Sequence, residues 1–131
     1  MLNETELIED YISQSTDLND LAKILWLLLS DSFSVWEDGS LLRTRQLVER
    51  VKGLRIEIHV NEHPPPHFHV QTGNMEATFA IDDCSLLTGK LNPGSYRLVK
   101  WWHLRAKDKL ITIWNQTRPT GCSVGGYRFK A

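Results

Sequence analysis

Cysteine is scarce in this chain of 131 residues: only Cys84 and Cys122 occur, and they form no C-x-x-C pair. That gives no support to a structural zinc and points to free thiols in a reducing compartment. Long apolar runs are missing too. The longest, 24–29, falls far short of the roughly 20 residues that span a bilayer, so no membrane partner is expected. With no signal-peptide pattern at the front, the expected location is the cytoplasm. A length of 131 residues suits one compact domain with a real core.

Neither sign of charge is in excess, the net charge being −1, but its distribution is lopsided. Acidic residues outnumber basic ones nine to one over 1–38, where Lys23 is the exception. Basic residues outnumber acidic ones nine to one over 90–131, where Asp108 is the exception. Two readings follow. The ends neutralise each other within the fold or across a dimer, or the basic end steers an acidic partner or a phosphate backbone.

What the chain does have is histidine in one place. Four of its five histidines, His59, His63, His67 and His69, surround the triple proline Pro64-Pro65-Pro66 within the stretch 54–82. Apolar residues alternate there: Leu54, Ile56, Ile58, Val60; Phe68, Val70; Met75, Ala77, Phe79, Ile81. Period two with β-branched and aromatic residues predicts half-buried strands. The prolines cannot donate to a ladder and belong to the connection. Side chains two apart share a face, so His67 and His69 project together, and antiparallel pairing brings His59 beside them. The run Gln71-Thr72-Gly73-Asn74 predicts the turn between the second and third strands.

Helical spacing marks the flanks. Leu7, Ile8, Tyr11 and Ile12 predict a first helix. Leu18, Leu21, Ile24, Leu25 and Leu28 predict a second, capped by Asp17 or Asn19. Trp26, Leu27 and Leu29 make that helix apolar nearly all round, which means burial or an interface. Asp38-Gly39 reads as a turn, with Ser40 capping a third helix that ends at Gly53. Leu86-Leu87 is a candidate short edge strand. A long helix opens at Asn92-Pro93-Gly94-Ser95 with Ser95 as its expected cap, and its stripe of Val99, Trp102, Ala106, Leu110, Ile113 and Trp114 covers the apolar face of the sheet. Trp101, off that stripe, either packs on the N-terminal helices or stacks on a base.

The expected fold is therefore α+β: a small antiparallel sheet of three to four strands, one face covered by a long C-terminal helix, with N-terminal helices packed alongside. Its parts are a helical region over 1–52, an α+β core over 53–118 and a basic, Gly-rich tail over 119–131.

The run Gly53-Leu54-Arg55-Ile56 through Asn61-Glu62-His63-Pro64-Pro65-Pro66-His67-Phe68-His69-Val70 resembles the signature of the bacterial domain-of-unknown-function family 4160 (DUF4160). Glu76-Ala77, Ile81, Gly89-Lys90-Leu91, Trp102 and Trp114-Asn115 extend the likeness to about residue 118, the helical N-terminal third being an addition. The resemblance implies a protein similar to toxin–antitoxin components, of a kind whose short genes often neighbour a second small gene of unknown function. It implies no settled reaction.

Three accounts of the histidines compete. In the first, a proline-stiffened loop with His63 at its rim and a basic surface bearing Arg55, Arg97 and Arg105 bind a small protein partner (the cognate toxin or antitoxin) or RNA, without a cofactor. The N-terminal helices offer a homodimer surface. In the second, His59, His67 and His69 act as acid and base in cleaving RNA or another phosphodiester, with the arginines steadying the developing charge. In the third, His67, His69, His59 and Glu57 hold a divalent metal, Zn or Mn. Cys84, in a turn with no neighbouring histidine, is not expected to be a catalytic thiol.

Overall fold

Asn3 opens the chain's first helix by accepting a hydrogen bond from the Glu6 amide at 2.8 Å, while its own amide group donates to the Glu6 carboxylate. The first of these bonds satisfies one of the amide donors that a helix start leaves unpaired. A computed structural model describes residues 3–30, 33–43, 54–58, 65–72 and 75–116. In it the first helix, α1, spans Glu4–Gln14 and buries Ile8 and Ile12. Asp17 caps the second, α2 (Leu18–Ser30), through the Asp20 amide at 2.8 Å. Leu21, Leu25 and Leu28 are wholly buried, whereas Trp26 stays 42% exposed. The apolar girth of α2 is thus mostly core.

A helix does not begin at Ser40. Two short antiparallel strands, β1 (Phe33–Val35) and β2 (Leu41–Arg43), form a hairpin there. Gly39 adopts a left-handed φ of 86°, and Trp36 N–H donates to the Ser40 carbonyl across the turn. The Ser40 hydroxyl and backbone N–H both donate to the Asp38 carboxylate, at 2.6 Å and 2.9 Å, which ties Ser40 back into the turn. Turn chemistry at Asp38-Gly39 therefore closes a hairpin where helical propensity alone suggested a cap. The remainder of the expected third helix, 44–52, lies outside the described residues, as does the tail 119–131.

Four further strands make the main sheet: β3 (Arg55–Glu57), β4 (His67–Thr72), β5 (Met75–Ala80) and β6 (Leu86–Gly89), antiparallel throughout and in that order. Alternation sets the faces. Ile56, Phe68, Val70, Ala77 and Phe79 are buried on one side, as their period-two spacing required. The register puts Phe68 opposite Phe79, with ring centroids 5.4 Å apart. Thr72 pairs with Met75, and the intervening Gly73-Asn74 lies outside the described residues. β6 is the predicted edge strand, and a bulge interrupts its register opposite Thr78 and Phe79. Gly89, at a φ of 87°, lets the backbone of β5 pass where a side chain would stand.

The long helix α3 (Pro93–Gln116) seals the apolar face. Its cap is Asn92 rather than Ser95: the Asn92 side chain accepts from the Ser95 amide at 2.7 Å, and Pro93 fills the first helical position, where no N–H is needed. Aromatic contacts order α3 along the sheet, with Tyr96 against Phe79, Trp102 and His103 against Phe68, and Trp114 against His67. Trp102 is fully buried and donates its indole N–H to the Leu21 carbonyl of α2 at 3.0 Å. Trp101 likewise packs, donating to the Gly39 carbonyl of the hairpin turn.

Opposite charges at the two ends meet inside this fold. Arg105 Nε lies 2.9 Å from a Glu9 carboxylate oxygen, and its guanidinium covers the Trp101 ring at 3.7 Å. Lys109 donates to the Ser15 carbonyl just past the end of α1, where a cation complements the helix dipole. Part of the charge asymmetry therefore serves the packing of α3 on α1.

Candidate functional site

The side of β4 turned away from Phe68 and Val70 presents His67 and His69, with ring centroids 5.2 Å apart in an edge-on arrangement. Both are half-buried. Strand alternation brings them together, and the neighbouring strands then fix each ring. His67 Nδ1–H donates to the Pro65 carbonyl at 2.8 Å. A carbonyl can only accept, so the neutral ring carries its proton on Nδ1 and its lone pair on Nε2. Opposite His69 in the ladder stands Thr78, whose hydroxyl shares a 3.1 Å hydrogen bond with His69 Nδ1. Prolines at 65 and 66 hold the approach to the strand stiff, because their φ angles are fixed. The Pro66 carbonyl is tied down as well, accepting from the Ile81 amide.

This side of the sheet is less open than alternation alone suggests. Thr78 and Ala80, across from His69 and His67, are 8% and 7% exposed. Trp114 of α3, itself buried, lies with its ring 5.5 Å from His67. The helix that seals one face thus also touches the imidazole pair, and any chemistry there proceeds against an indole wall.

The other expected site residues divide. His59 and His63 lie outside the described residues. Glu57 stands opposite His69 in the ladder and pairs with Arg55 at 3.6 Å; Arg55 also donates to Gln71 at 2.8 Å. Arg97 is exposed near the start of α3, whereas Arg105 is committed to Glu9, the Trp101 carbonyl and the Trp101 ring. Among the described residues no group of three His, Cys, Asp or Glu side chains is placed to hold a metal ion, so Glu57, His67 and His69 do not converge as a ligand set. A cleft of about 410 Å³ lies between the α1–α2 junction and the end of α3, lined by Ser15, Asp17, Lys109 and Ile113 among others; no histidine lines it. No helix among the described residues is long and apolar enough to cross a membrane.

Cys84 is buried, and that burial pushes its thiol up to about 12, so it remains protonated and unreactive near neutral pH. Tyr96 OH holds its carbonyl at 2.8 Å, and its φ of 60° marks the turn. The strand pattern did not point to His103. Its position could have been read from the stripe of α3, since it follows Val99 by four residues and precedes Ala106 by three. It is 4% exposed, stacked on Phe68, and bonded through Nε2 to the Ile81 carbonyl. Burial is the main cause that lowers its pKa from 6.5; the bond to the Ile81 carbonyl opposes it, Lys107 acts in the same direction as burial, and Asp83 and Asp82 oppose it.

A lowered folded pKa means the unfolded chain binds the proton more readily. Stability from neutral His103 is therefore complete above about pH 6.5 and is lost as pH falls through that value toward the folded one. We expect the urea midpoint to fall between pH 7 and pH 5, and the fall to shrink in His103→Gln, which retains an N–H donor. An unchanged slope in that variant would assign the pH dependence elsewhere.

Residues 53–115 match the family model described as Domain of unknown function (DUF4160). Neither the curated proteins nor the solved structures give a match.

Proposed function

Because the chain belongs, through residues 53–115, to the DUF4160 family, whose description names no reaction, we propose that it is one member of a two-component pair of toxin–antitoxin type in the cytoplasm. It works by binding a small partner protein, and through its basic residues RNA, at the surface around Pro65, His67 and His69. One observation carries this reading: both imidazoles are held in place by fixed partners, the Pro65 carbonyl and the Thr78 hydroxyl. A surface ordered before binding loses little conformational entropy on binding. Arg105, taken up in packing against Glu9 and Trp101, is withdrawn from the binding residues under this reading.

Co-expression with the product of the adjacent small gene is expected to give a one-to-one complex on gel filtration. Substituting both histidines, His67→Ala with His69→Ala, is expected to weaken it at least about tenfold, equivalent to about 1.4 kcal/mol. A complex of undiminished affinity would place the contact elsewhere. The alternative, a histidine-dependent ribonuclease or phosphodiesterase, draws on the same pair, because adjacent imidazoles can act as acid and base. RNA cleavage that disappears in both single variants would replace the binding reading with the enzymatic one.

A further inference from the structure

The main sheet ends in β3 on one side and in β6 on the other. Among the described residues no strand pairs with the outer side of β6, the last strand in the order. All four of its residues are exposed, including Leu86 at 37% and Leu87 at 43%. Sheets commonly protect such margins with lysine or proline within the strand, because unpaired N–H and C=O groups recruit another strand. Here the sequence Leu-Leu-Thr-Gly holds neither. The bulge shortens the stretch open to pairing without removing it.

Charge settles which strand fits. Asp83 lies just before β6 and Lys90 just after it, both exposed. Hydrogen bonds from Ser85, the backbone one first, hold the Asp83 carboxyl below its usual value, so it is ionised at neutral pH. The strand is therefore negative at its start and positive at its end. Antiparallel pairing of two such strands sets each lysine near the other's aspartate, while parallel pairing sets like charges together. A strand with this polarity complements its own copy.

We propose that β6 is a dimerisation edge, and that two copies of this chain join antiparallel through Leu86–Gly89 to form one continuous eight-stranded sheet about a two-fold axis. The Leu86 and Leu87 side chains of each copy lose solvent exposure, and the Lys90–Asp83 pairs form twice. A two-fold interface repeats every contact, so each substitution acts twice.

The test is sedimentation equilibrium of the full chain over a wide concentration range, with wild type, Leu87→Lys and Lys90→Glu. Both altered side chains are exposed, so far-UV circular dichroism is expected to be unchanged. Wild type is expected to dimerise reversibly. Each variant is expected to raise the dimer dissociation constant about tenfold or more, and added salt should weaken wild type. A wild-type chain that stays monomeric at every concentration overturns the proposal. So does a dimer that both variants leave intact, since the contact then lies on another surface such as the N-terminal helices.

Discussion

Trp102→Ala is expected to remove a large share of the protein's stability. Truncating a fully buried tryptophan costs about 3–5 kcal/mol, against a total of roughly 5–15 kcal/mol for an ordinary domain. Trp102 is 0% exposed, touches Phe68 of β4 and reaches the Leu21 carbonyl of α2. It thus joins α3, the sheet and the N-terminal helices at one point, and no neighbour can close the space without moving a whole element. Trp102→Phe keeps part of the ring and loses the indole N–H, for an expected loss of roughly 1–3 kcal/mol. Urea titration followed by far-UV circular dichroism measures both. A loss below about 1 kcal/mol for the alanine variant would show that α3 does not seat on the sheet through this residue.

Gly89→Ala is the second large effect, expected at roughly 2–5 kcal/mol. Two physical causes add. A φ of 87° is costly for any residue with a Cβ, and that Cβ would stand 2.1 Å from the Glu76 carbonyl oxygen and 2.8 Å from the Ala77 Cα. Backbone atoms of a paired strand cannot rotate aside as a side chain can. Gly39 separates the two causes: its φ is 86°, yet a Cβ there would meet nothing within 4 Å. Gly39→Ala is accordingly expected to cost only about 1–2 kcal/mol. Equal losses at the two glycines in urea titration would reject the steric account.

These effects also mark where sequence reasoning succeeds. Period two over 54–82 is a local signal, and it placed Phe68, Val70, Ala77 and Phe79 inside and His67 beside His69. The stripe of α3 was legible for the same reason, since helix geometry maps spacing directly onto a face. Failure came where two local signals competed. Asp38-Gly39-Ser40 satisfies both a helix start and a hairpin turn, and pairing of Phe33–Val35 with Leu41–Arg43 decided for the hairpin. The cap at Asn92 was missed because asparagine and serine are nearly equal in that role.

The sequence by itself determined the α+β class, the faces of the strands, the burial of the tryptophan stripe and the adjacency of His67 and His69. All of these follow from backbone periodicity, which acts over a few residues. Tertiary structure alone decided that Trp114 walls His67, that Thr78 holds His69, that Arg105 is spent on Glu9 and Trp101, and that β6 ends the sheet among the described residues. Those facts join residues as many as 96 positions apart. No spacing rule encodes such contacts, because they depend on how finished elements pack.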